Sequence, residues 1–78
     1  MASTQENHNR LREELKQARQ EAKLTQEELA DLAETSIRPI YLFENGKSSL
    51  RLETFLKLLD VLGLDLKVVP RLPKEESR

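Results

Sequence analysis

Apolar residues recur along most of this chain at spacings of three or four, and near its end the spacing changes to two. From about Asn9, the residues Leu11, Leu15, Ala18 and Ala22 fall on one helical face. Asn9 can cap the start of that helix, which is expected to end near Lys23. Thr25-Gln26-Glu27-Glu28 is a capping box: the threonine hydroxyl accepts from the amide three residues on, and Glu28 reaches back to the threonine amide. A short second helix follows, with Leu29, Ala30, Leu32 and Ala33 as its apolar face. Ser36 is expected to cap a third helix, with Pro39 in its first turn, where an amide proton has no intrahelical acceptor to lose. Ile40 and Phe43 face inward, and Asn45-Gly46 ends the helix, Gly46 being free to adopt a left-handed conformation. The fourth helix, from about Leu52 to Leu62, carries Leu52, Phe55, Leu56, Leu58, Leu59 and Leu62 and stops at Gly63. Leu64, Leu66 and Val68 then alternate with Asp65, Lys67 and Val69, which predicts a strand ended by Pro70.

Four short helices with tight connections predict an all-α fold, a compact four-helix domain over residues 9–63. Residues 1–8 read as a flexible polar arm and residues 71–78 as a polar tail. The strand over 64–70 has no second strand in the chain to pair with. The simplest partner is the same strand of a second copy, paired antiparallel across a two-fold axis, which makes Leu64, Leu66 and Val68 the expected dimerisation residues.

Composition sharpens that expectation. The chain has 78 residues, 37% hydrophobic and 35% charged, with no cysteine and one histidine. A core this thin calls for external support, and without cysteine that support is neither a disulfide nor a thiolate metal site. No metal and no cofactor are expected. A lone His8, no cysteine and no acidic pair beside a glycine-rich loop argue against an enzyme. No apolar run is long enough to span a membrane, and residues 1–10 lack the apolar stretch of a signal peptide, so a cytoplasmic protein is expected. The net charge of −1 is unhelpful for a nucleic-acid binder, but its distribution is not. Residues 36–51 carry a net +2 between acidic segments of −3 (residues 23–35) and −2 (residues 52–66).

Leu24-Thr25-Gln26-Glu27-Glu28-Leu29-Ala30, followed by Ala33, Ser36, Ile40 and Glu44-Asn45-Gly46-Lys47, closely resembles the helix-turn-helix of phage-repressor-like (XRE family) regulators. The resemblance covers roughly Leu11 to Leu62. It implies that the second helix crosses the phosphate backbone of DNA and the third enters the major groove. Gln26 then stands where an amide side chain could bond a phosphate beside free backbone N–H groups. Ala30 is small where two helices cross closely, and Arg19 and Glu44 look like the family's ion pair. Ser36, Ile37, Arg38, Tyr41 and Leu42 fall at the groove-facing end of the third helix. Arg38 alone is a strong hydrogen-bonding base reader, suited to guanine. Ile37 and Leu42 suit thymine methyls, Tyr41 suits a phosphate, and Tyr41 and Leu42 equally suit packing within the protein. Lys47, Ser48 and Ser49 form the following loop, and Arg51 begins the fourth helix, with both cations placed to neutralise phosphates.

A strand after the fourth helix, in place of a fifth helix, is similar to the HipB-type antitoxins. That resemblance implies a homodimer that represses its own operon at an inverted repeat and binds a HipA-type serine/threonine kinase toxin. The tail, Arg71 to Arg78, carries no aromatic anchor for such a partner. Two alternatives stay open: a stand-alone regulator with no toxin, and a protein-interaction module that no longer reads DNA.

Overall fold

A computed structural model describes residues 4–70 of the chain. Residues 1–3 of the expected arm and the expected tail over 71–78 lie outside the described residues. Four helices follow one another: α1 (Thr4–Glu21), α2 (Gln26–Leu32), α3 (Ile37–Glu44) and α4 (Leu52–Leu62). α2 and α3 pack on each other, α3 also packs on α1, and α4 packs on both α1 and α2. One core sits between them. Leu15, Leu29, Ile40 and Leu58 are fully buried, one from each helix, and Ala30, Ala33, Phe43, Phe55 and Leu59 complete it. The Phe43 and Phe55 rings meet edge to face at 6.2 Å, joining α3 to α4.

Local chemistry sets the helix ends. The Thr25 hydroxyl accepts from the Glu28 amide at 3.0 Å, and Glu28 Oε1 accepts from the Thr25 amide at 2.9 Å, so the capping box of α2 is complete. Ser36 occupies the N-cap position of α3 with extended backbone, but its hydroxyl makes no capping bond. All four helices close in one way, with a pair of bonds spanning three and five residues around a residue of positive φ. These residues are Lys23 (60°), Glu34 (58°), Gly46 (72°) and Gly63 (71°). For the two non-glycine residues this backbone costs about 1–2 kcal/mol. Replacing Glu34 with glycine is therefore expected to stabilise the domain by about 1 kcal/mol, which a thermal melt followed by circular dichroism reads as a rise of roughly 4–8 °C.

The structure corrects four sequence expectations. α1 begins at Thr4, not near Asn9, so residues 4–8 are helix rather than arm. The tertiary reason is His8, whose ring lies 5.6 Å from Phe43 and anchors this early turn on α3. Leu32, placed on the apolar face of α2, is 60% exposed, and Leu52 and Leu56 of α4 are exposed as well. Ala22 is exposed where the chain turns out of α1. Finally, residues 64–70 carry no strand. Among the described residues nothing offers them a ladder of backbone hydrogen bonds. Leu64 to Lys67 instead border a cavity with Leu11 and Leu15 of α1 and Phe55 and Leu59 of α4.

Candidate nucleic-acid interface

The turn between α2 and α3 is held to α1 by one buried cluster. Arg19 of α1 donates from Nε to Glu44 Oε2 at 2.8 Å and from Nη2 to Oε1 at 2.9 Å, a two-pronged pair. Its Nη1 donates to the Leu24 carbonyl at 2.7 Å, in the turn before α2. Gln26, the first residue of α2, donates from Nε2 to Glu44 Oε1 at 2.9 Å. Glu44 is the last residue of α3, where a negative charge opposes the helix dipole, so it needs these donors. The cluster thus ties α1, the start of α2 and the end of α3 into one unit. Burial pushes the Glu44 carboxyl up, but the hydrogen bonds from Arg19 and Gln26, with the Arg19 and Lys16 charges, outweigh it and hold the group below the ordinary carboxylate value. The bond to Glu44 likewise holds the Arg19 guanidinium above its ordinary value, against burial.

A folded-state value below the unfolded one has a definite consequence for pH. The Glu44 carboxylate contributes its full stabilisation above the unfolded value, near 4.5, and loses it as pH falls through the lower folded value. Urea midpoints are expected to decline as pH drops below about 4.5, and less steeply in Glu44→Gln. Equal slopes for the two proteins would show that Glu44 does not carry the acid sensitivity.

Glu44 is also the only acid among residues 36–51, and it is buried and paired. The charge this stretch presents to solvent is therefore wholly positive: Arg38, Lys47 and Arg51, all exposed. The expected site residues fall into three groups. Ser36, Arg38, Leu42, Ser48 and Arg51 come together around one open cavity of about 500 Å³ between α3, the following loop and the start of α4. Ile37 (43% exposed) and Tyr41 (48% exposed), one turn apart on α3, stand out into solvent, as does Lys47. Leu42 is partly buried against the cavity wall. Gln26 stands apart. The amide expected to meet a phosphate is bound to Glu44, which leaves one N–H of the side chain for any other partner.

Pro39, Ser49, Leu50 and Thr54 also line the cavity. Thr54 was not singled out in the sequence. Its signal is its place one turn after Arg51, which puts both at the N-terminal end of α4. Gly46 brings the chain from α3 into the loop. A β-carbon there would sit 3.7 Å from Arg12 Cζ, so the Arg12 guanidinium lies over the C-terminal end of α3, where a cation is favoured.

Two helices joined by a tight turn, the second exposing Ile37, Arg38 and Tyr41 and followed by the exposed cations Lys47 and Arg51, form the frame of a DNA-reading element. The helix-turn-helix family matches the chain over residues 15–69, from the core residue Leu15 to Val69. The chain belongs to the XRE-type helix-turn-helix family. This helix-turn-helix protein is thereby a DNA-binding transcription regulator in its family assignment, with α2 and α3 as the two helices of the motif. Comparison with curated proteins finds no match. No helix among its described residues is long and apolar enough to cross a membrane.

Proposed function

We propose that the chain is a sequence-specific repressor that binds an inverted-repeat operator as a homodimer. The observation that carries this proposal is the burial of Glu44, which leaves only positive charge on the exposed part of residues 36–51. In this proposal α3 enters the major groove. Arg38 reads a base, Ile37 meets a thymine methyl, and Tyr41, Lys47, Ser48 and Arg51 hold phosphates. Ser36 and Leu42 shape the wall beside the backbone, and Gln26 meets a phosphate with its remaining N–H. A dimer sets two α3 helices about 34 Å apart, one turn of DNA, and doubles the positive face. Repression follows from occupancy, without catalysis.

Residues 64–70 are proposed to form the dimer contact by pairing antiparallel across the two-fold axis. Val68 is 91% exposed, whereas Leu66 lines cavities within its own chain. Val68→Glu therefore changes the proposed contact without touching the monomer's core. Sedimentation of Val68→Glu is expected to show a monomer whose operator binding falls together with dimerisation. A Val68→Glu protein that stays dimeric and binds normally places the contact elsewhere.

The finer proposal is that this repressor is also the antitoxin of a HipA-type kinase and controls the operon encoding both. It rests on residues 64–70 following α4 where a fifth helix would otherwise stand. Isolation of the tagged protein from its native host tests it. A kinase recovered in stoichiometric amount is the expected result, and a dimer recovered with DNA alone means a stand-alone regulator.

A further inference from the structure

Arg12, Lys16 and Arg19 stand at spacings of four and three along α1, which sets them one above another on a single face. The acids of the helix, Glu6, Glu13, Glu14 and Glu21, fall at other positions around it. Arg19, at one end of this stripe, is occupied by Glu44 and the Leu24 carbonyl. Arg12, at the other end, lies over Gly46. A β-carbon there would sit 3.7, 3.8 and 3.9 Å from Arg12 Cζ, Nη1 and Nε. Three nearly equal distances mean that the guanidinium lays its flat face on Gly46. Its N–H groups point along its plane and are not used by that contact. Among the described residues no hydrogen bond or ion pair takes them up. Lys16 is near enough to Glu44 for its charge to favour the carboxylate, but the ion pair of Glu44 is with Arg19. Both Arg12 and Lys16 are half-buried, so packing restricts their stems.

The stripe thus lies against the C-terminal end of α3. Two residues proposed above to hold phosphates flank the same end: Gln26, bound to Glu44, and Lys47, which follows Gly46. Arg19 reaches the Gln26 side, Arg12 reaches the Lys47 side, and Lys16 stands between them on the helix. We propose that Arg12 and Lys16 form a second cationic edge, on α1, that holds the sugar-phosphate backbone of DNA alongside Gln26 and Lys47. Its role rests on the proposed docking of α3 on DNA, and it carries the contact to a helix outside the motif. Glu44 is already matched by Arg19, so the charges of Arg12 and Lys16 are left for an anion outside the chain. A phosphate held here releases counterions and carries no base information. The edge fixes how the protein lies on the duplex, not which sequence it prefers.

The test measures binding of the full chain to a duplex selected from a random pool, and to single-mismatch duplexes, across a series of salt concentrations. Arg12→Gln, Lys16→Gln and the double variant are compared with wild type, and Lys47→Ala serves as the reference. Each single variant is expected to lower the salt slope by about one and to lose roughly tenfold in affinity at about 0.1 M salt. The loss should be the same on matched and mismatched duplexes, and the double variant should lower the slope by about two. Arg12→Lys keeps the charge and should restore the slope. Circular dichroism melts establish that the variants are folded, and if Arg12→Gln is unfolded, Arg12→Met takes its place. Unchanged slopes in both single variants, while Lys47→Ala lowers its own, overturn the edge and leave the role of α3 intact. A lower melting temperature for Arg12→Gln with no change of slope means that Arg12 only covers the end of α3, which also overturns it. A wild-type protein that binds no duplex removes the DNA-reading role of α3, and the edge with it.

Discussion

Glu44→Ala is expected to destabilise the domain by about 3–5 kcal/mol, the cost of leaving a buried charge without its partner. Arg19 would keep its bond to the Leu24 carbonyl but lose both bonds to the carboxylate, and Gln26 would lose its acceptor. A chain of 78 residues holds a total stability of about 4–12 kcal/mol, so this single change consumes a large part of it. Urea denaturation followed at 222 nm measures the loss. The pair itself contributes less than its rupture costs, because both charges must first leave water. The double variant Arg19→Met with Glu44→Met should therefore be more stable than Glu44→Ala alone. If the double variant is the weaker of the two, the cluster stabilises through its net attraction rather than by avoiding an unpaired charge. A loss under about 1 kcal/mol for Glu44→Ala would mean that solvent reaches Arg19 freely.

The second large effect concerns Arg38. In Arg38→Ala, affinity for the cognate duplex is expected to fall by about 1–3 kcal/mol, roughly 5- to 150-fold, with preference relaxed at one base pair. Lys47→Ala differs in kind: a phosphate contact weakens binding about uniformly across sequences and lowers the salt slope by about one. Fluorescence anisotropy on matched and single-mismatch duplexes separates the two. Arg38 is exposed and lies on the cavity rather than in the core, so the folded state should survive its removal. If Arg38→Ala keeps full affinity and the same base preference, Arg38 does not read DNA, and a protein-interaction role for α3 gains weight.

The parts of this fold that could be read in advance are those set by chemistry within one turn of chain. The capping box at Thr25–Glu28, the positive φ at Gly46, the end of α4 at Gly63 and the proline in the first turn of α3 each rest on a hydrogen bond or a backbone preference local to the residue. The Arg19–Glu44 pair spans 25 residues and is implied only by the resemblance to a family, because spacing does not show which distant charges meet. The link from Gln26 to Glu44, across 18 residues, is hidden from spacing for the same reason. The early start of α1 is not legible because residues 4–8 carry no apolar period, and the contact of His8 on Phe43 joins residues far apart in the chain. Leu32, Leu52 and Leu56 show the limit of periodicity: a leucine at helical spacing is apolar wherever it lies, and only packing decides whether it is covered. The alternation over 64–70 is real, yet a strand is a relation between two segments, and one chain supplies only one of them.

The central claim is that the exposed face of α3 and its loop reads DNA sequence. Selection of duplexes from a random-sequence pool by the purified wild-type protein tests it most directly. The expected result is enrichment of an inverted repeat whose half-sites lie about one helical turn apart, bound at least 10³-fold more tightly than scrambled DNA. A pool that stays random after repeated selection, with equal affinity for all duplexes, would contradict it.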